Sequence, residues 1–211
     1  MFYNIDFKSI TGKAYCALYS LESAGLPIDP VSCRILDEGL IVISYQRYAE
    51  ISGVATEELM CGDELKDGFS VLRARGKCII LYDDSAYAPR KRFTVSHEIG
   101  HYILEHSSHG DKEEIEANFF ASQFLAPTAL FNEIRNRGHF VSYERIIGLM
   151  ELSREAQDKK LAYLEKYGND ISHSTIYDDY VHEKFKSYLD THFPVKKDSL
   201  RWIWNENGRK V

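Results

Sequence analysis

The sequence predicts an α+β fold: a helical core laid on a small antiparallel or mixed sheet, followed by a helical C-terminal appendage. Three observations predict it. Residues 94–105 carry apolar side chains at helical spacing around His97-Glu98-Ile99-Gly100-His101. Residues 113–126 form a second helical run that stops near Pro127, because proline cannot continue a helix. Two β-rich runs, 69–74 and 77–83, flank Arg75-Gly76 and read as a hairpin. The expected division of the chain is a core over residues 1–130, trailing helices over 131–167 and an appendage over 168–211.

In chain order, residues 11–25 read as a helix, and Leu26-Pro27-Ile28-Asp29-Pro30 as a turn that opens a short helix near residues 31–36. Residues 39–45 read as a strand. Within the hairpin, Ile79-Ile80-Leu81 fits an ordinary core strand. It fits equally a sheet edge near Ile79 to Asp83, along which an extended peptide adds as a further strand. In the 94–105 helix, Thr94 or Ser96 can cap the first turn, and Val95, Ile99, Tyr102 and Ile103 form the apolar side. A polar connection over 106–111 makes the next helix its antiparallel neighbour.

Residues 142–167 read as two helices joined near Glu151-Leu152. The second alternates acids with bases and has no basic face, so it is expected as a lid or packing element, not as a DNA-reading helix. In the appendage, Val181, Phe185, Tyr188 and Leu189 share a helical face suited to docking on the core, while Trp202 and Trp204 suit a partner-recognition surface.

Charge and composition exclude several function classes. The formal net charge of −6 opposes nonspecific attraction to nucleic-acid phosphates. The run Arg90-Lys91-Arg92 is short and reads as a solvated turn. No stretch of 18 or more apolar residues is present, and residues 1–8 lack the basic and apolar regions of a secretory signal. Cys16, Cys33, Cys61 and Cys78 are scattered without a Cys-x-x-Cys pair and read as reduced thiols. A cytoplasmic protein with a protein partner, and with no membrane or specific nucleic-acid partner, is the expectation.

The pentad at 97–101 carries the chemistry. Two imidazoles four residues apart lie on one face of a helix. Their nitrogens can hold a zinc ion while leaving places for a third ligand and a water. Glu98 lies about 100° around the helix from His97, beside the metal and not on it. A zinc ion activates water and polarises a peptide carbonyl, and the glutamate takes the proton and passes it to the leaving amine. Glu114 is the expected third ligand, with Asp111 the weaker substitute, and Asn118, four residues on, shares its face and can orient a ligating side chain. Glu113 and Glu116 read as solvated acids favoured by the helix dipole, and His106 and His109 as loop histidines. Tyr87 and His139 are candidates for an oxyanion donor by residue type alone.

Arg92-Phe93-Thr94-Val95-Ser96-His97-Glu98-Ile99-Gly100-His101, followed by Glu114-x-x-Ala117-Asn118-x-Phe120-Ala121 and Leu125-x-Pro127, resembles the ImmA/IrrE family of metallopeptidases. The resemblance covers residues 68–130 and extends more weakly to about 167, through Ser142 to Ile147 and Leu152 to Ala156. Where Leu-Leu-Met-Pro is common in the family, this chain has Phe124-Leu125-Ala126-Pro127, an apolar-for-apolar change.

The resemblance implies a zincin-like core in residues 1–130 and a zinc-dependent endopeptidase of the anti-repressor type. Such an enzyme cleaves a helix-turn-helix repressor and releases the genes of a mobile element, phage or stress regulon. On it, His97 and His101 correspond to the zinc-binding histidines, Glu98 to the catalytic glutamate and Glu114 to the acidic ligand. The rival readings are a non-catalytic regulatory binding module and a toxin-antitoxin or stress-response component on the same fold.

Overall fold

A computed structural model describes residues 3–22, 24–32, 39–59, 68–72, 78–108, 110–139, 141–168 and 175–196. Helix α1 spans Phe7–Tyr19, earlier than the expected 11–25, because Asp6 caps it: the carboxylate accepts from the Ser9 amide at 2.9 Å. Thr11 therefore lies inside the helix, with its hydroxyl bonded back to the Phe7 carbonyl at 2.8 Å. A single 3-10 turn, Pro30–Ser32, follows, and residues 33–38, where the rest of the short helix was expected, lie outside the described residues.

Strand β1 (Leu40–Ser44) ends where Ser44 accepts from the Arg47 amide at 3.2 Å and starts helix α2 (Tyr45–Ser52), which the sequence reading did not foresee. Gly53, at φ 74°, closes α2 in the left-handed conformation that glycine adopts without a Cβ penalty. After the short α3 (Thr56–Leu59) come β2 (Gly68–Leu72) and β3 (Cys78–Tyr82).

The three strands form one mixed sheet in the order β1-β3-β2. Strand β3 pairs antiparallel with β2, as a hairpin requires, and parallel with β1, with Leu40 opposite Cys78 and Ser44 opposite Tyr82. This corrects the expectation of an edge near Ile79 to Asp83. With β1 and β2 on its two sides, β3 is central, and the edges among the described residues belong to β1 and β2. Its side chains agree, with Cys78, Ile80, Leu81 and Tyr82 all buried.

Helix α4 (Ala88–Ile103) packs on β2 and β3, and α5 (Asp111–Leu125) packs on both α4 and α1. Each begins earlier than expected. Pro89 lies at the start of α4, where a missing amide proton costs nothing, so Thr94 and Ser96 are interior residues and not caps. The run Arg90-Lys91-Arg92 is consequently helical: Lys91 pairs with Asp84 at 3.0 Å, and Arg92 is buried and donates to the Glu151 carbonyl. In α5, Asp111, Glu113 and Glu114 occupy the first turn, where the helix dipole favours anions. Val95 and Ile99 of α4 interdigitate with Phe120, Phe124 and Leu125 of α5 and Ile10, Ala14 and Leu18 of α1 in the core.

Helix α6 (Thr128–Asn136) is followed by α7 (Tyr143–Leu149) and α8 (Arg154–Tyr167), capped by Ser142 and Ser153 and joined through Met150 to Ser153. Helices α9 (Asp178–Lys184) and α10 (Lys186–His192), which meet at Phe185, bury Val181, Phe185 and Leu189 against the core, bearing out these three of the expected docking face while Tyr188 is only half-buried; Trp202 and Trp204 lie outside the described residues. No helix among the described residues is long and apolar enough to cross a membrane.

A lysine sits deep inside this packing. Lys160 of α8 is 2% exposed, and its ammonium donates to Thr128 Oγ1 at 3.1 Å and Gln123 Oε1 at 3.4 Å over the rings of Tyr163 and Phe131. These partners are neutral, and burial pushes the amine from its ordinary 10.5 down to about 7. Between those values the unfolded chain binds the proton and the folded chain does not, so this group's contribution to stability rises with pH from about 7 to about 10.5. Lys160→Met is therefore expected to exceed the wild type in stability by a few kcal/mol near pH 6, with the difference shrinking towards pH 10. Urea unfolding of both proteins across that range checks it. A difference that does not change with pH would contradict the charged-lysine account.

Candidate metal centre

The cluster is made where α4 and α5 run antiparallel, His97 lying beside Asn118 and His101 beside Glu114. Close approach of the helices depends on Gly100. A Cβ there would stand 3.1 Å from Cδ1 of Phe120, tighter than ordinary van der Waals contact, so only a hydrogen fits without a shift.

His97 Nε2 and His101 Nε2 lie 3.0 Å apart; His97 Nε2 is 3.4 Å from Glu114 Oε2 and His101 Nε2 is 3.4 Å from Glu114 Oε1. Four-coordinate zinc holds nitrogen and oxygen donors at about 2.0–2.2 Å, which places tetrahedral donors roughly 3.3 Å from one another. The three side chains therefore fit such an ion. His97 Nδ1 lies 3.1 Å from Asn118 Oδ1. An amide oxygen only accepts, so Nδ1 carries the proton and Nε2 presents its lone pair to the cluster. Glu98 is 9% exposed, and its Oε2 is buried without a hydrogen-bond partner among the described residues. A buried carboxylate oxygen left in this state is costly, and an ordered water at the metal centre is the kind of partner that satisfies it.

The other sequence-derived candidates fall elsewhere. Asp111 accepts from the Tyr3 hydroxyl at 3.1 Å and is not part of the cluster. Tyr87 precedes α4 and is ten residues from His97, about 15 Å along the axis. His139 is engaged by the C-terminal segment, its Nε2 donating to the Pro194 carbonyl at 2.7 Å and its ring edge-on to Phe193. His109 lies outside the described residues.

Two residues that the sequence placed in solvent belong to the site's surroundings. His106 Nδ1 is 2.9 Å from His101 Nδ1, and His106 Nε2 is 3.1 Å from Glu116 Oε2. The His106 and Glu116 side chains are only 7% and 15% exposed, so Glu116 is not the solvated acid expected. The available signal was a histidine just past the end of a ligand-bearing helix with an acid on the helix that returns, which has no fixed spacing to recognise.

A family model described as IrrE N-terminal-like domain, Peptidase_M78, matches residues 49–162. No curated protein and no solved structure matches the chain. The matched stretch is more than half of the 211 residues and contains His97, Glu98, His101, Glu114 and Asn118. The chain accordingly belongs to the ImmA/IrrE family of metallopeptidases.

Proposed function

We propose that this protein is a zinc-dependent endopeptidase that cleaves a helix-turn-helix transcriptional repressor in the cytoplasm, releasing a mobile element, phage or stress regulon. The observation that carries the reading is the convergence of His97, His101 and Glu114 donor atoms within 4.8 Å of one another, with Glu98, whose buried Oε2 has no hydrogen-bond partner among the described residues, next to His97 in the same helix. Two imidazoles and one carboxylate gathered this closely suit zinc.

When bound by His97, His101 and Glu114, zinc supplies Lewis acidity towards a water and a peptide carbonyl. Asn118 holds the His97 ring in the tautomer that offers Nε2. Glu98, which is not a ligand, accepts the proton of the attacking water at its free oxygen and returns it to the leaving amine. The low exposure of Glu98 keeps bulk water from competing for that proton.

Two features support an extended, partly apolar substrate. Strand β2 is a sheet edge among the described residues and packs on α4, the helix that bears His97 and His101, and such an edge can accept an extended peptide as a further strand. A cavity of about 290 Å³ adjoins the His97 partner Asn118, with Phe93, Ala121, Leu125, Leu152 and Ala156 on its apolar wall and Ser122, Ser153, Glu155 and Lys159 as polar groups, a lining that suits a side chain with an apolar body. The net charge of −6 and the absence of a basic face on α8 argue for a protein target over DNA.

The direct test incubates the zinc-loaded protein with a helix-turn-helix repressor encoded beside its gene and maps the fragments by mass spectrometry. Cleavage at one or a few sites, abolished by a chelator and restored by zinc, is expected. Tight, stoichiometric association without cleavage would favour the binding-module reading instead.

A further inference from the structure

We propose that His106 and Glu116 form an outer hydrogen-bonded chain that positions His101 for the metal, so that zinc affinity depends on two residues that never touch the ion. The inference rests on reading His97, His101 and Glu114 as a metal site.

The direction of the chain follows from its ends. The Glu116 carboxylate oxygen accepts, so His106 Nε2 donates to it and His106 Nδ1 keeps its lone pair. That lone pair faces His101 Nδ1 at 2.9 Å, so the proton between them belongs to His101. With Nδ1 protonated, His101 Nε2 is left as the electron-pair donor that faces His97 Nε2 and Glu114. Asn118 does the same for His97 from the other side. Each histidine is thus held by its outer nitrogen, which fixes both its ring plane and its tautomer.

The backbone is built to bring His106 there. Helix α4 ends in a turn in which the His106 amide donates to the His101 carbonyl at 3.0 Å and the Glu105 amide to Tyr102 at 3.2 Å. The turn needs a left-handed residue, and the chain uses Glu105 at φ 60°, where glycine is the usual choice. His106 thereby folds back beneath His101, contacting it through both backbone and ring, with their centroids 4.9 Å apart. Lys112 Nζ, 3.6 Å from the second oxygen of Glu116, holds the carboxylate from α5.

The experiment measures zinc affinity by competition with a chromophoric chelator, and the electronic spectrum of the cobalt-substituted protein, for the wild type and four variants. His106→Ala and Glu116→Leu are each expected to weaken zinc binding roughly 10–100-fold. The cobalt spectrum should keep its ligand set. The double variant should be no weaker than His106→Ala, because both changes break one chain. His106→Gln, whose amide oxygen can accept from His101 Nδ1, should recover part of the loss. Glu116→Leu keeps a similar side-chain volume, offers His106 Nε2 no acceptor, and carries the test if His106→Ala fails to fold.

Unchanged affinity in folded variants, or losses that add in the double variant, would overturn the chain. Loss of a nitrogen ligand from the cobalt spectrum of His106→Ala would overturn it too, by making His106 a ligand. A wild-type protein that binds no zinc would overturn the metal-centre reading itself, an outcome distinct from unaltered variants of a zinc-binding wild type.

Discussion

Glu98→Gln is expected to lower the rate of peptide hydrolysis by about 10²- to 10⁴-fold while zinc stays bound. The amide has nearly the volume of the carboxylate, so the 9% exposed position is filled as before and α4 keeps its packing. What changes is the atom that lacks a partner: Oε2 accepts a proton in the native protein, and the amide cannot. Burying an unpaired amide donor costs stability by about 1–3 kcal/mol, which thermal unfolding would register without confusing it with the chemical effect. Single-turnover cleavage, with metal content measured on the same sample, separates the two. A variant that cuts its substrate at near the wild-type rate would refute Glu98 as the proton carrier.

The second large effect falls on the metal. The wild type should bind about one zinc per chain, and His97→Ala combined with His101→Ala should bind none, since the cluster retains only the half-exposed Glu114. Glu114→Ala should weaken binding more than the roughly 10–100-fold expected of outer partners such as Glu116. Glu113→Ala, outside the cluster on the same first turn of α5, should leave it unchanged. Elemental analysis after dialysis gives the stoichiometry, and chelator competition gives the ranking. Full zinc retention in the double histidine variant, or a greater loss in Glu113→Ala than in Glu114→Ala, would refute the ligand set.

These residues were legible because their relation is local. His97 and His101 are one helical turn apart, and Glu114 and Asn118 are one turn apart on the helix that returns, so two periodicities and a short connection suffice to bring them together. The central place of β3 was not legible. It depends on parallel pairing with β1 across the length of α2 and α3, and no local pattern in Ile79-Ile80-Leu81 distinguishes an edge from a centre. The start of α4 was misread because Thr94 and Ser96 look like caps, while Pro89 is the residue that marks the first turn. The His106 and Glu116 contacts escaped for a different reason: the turn that creates them has glutamate where the sequence signal is glycine.

The hydrogen at Gly100 has a bearing on which ion the proposed centre would suit. The metal donors sit on two separate helices, so their spacing is set by how near α5 comes to α4, and that approach is limited where Phe120 meets Gly100. Any larger side chain would need Phe120 to give by a few tenths of an ångström, and where its ring cannot turn aside α5 would move and take Glu114 with it. A cluster opened in this way would move from the short bonds of zinc towards the roughly 2.3–2.6 Å oxygen contacts of calcium, for which two imidazoles are poor ligands. If the proposed centre holds zinc, discrimination by ionic radius would reside in a residue with no functional group, through the distance it allows between two helices.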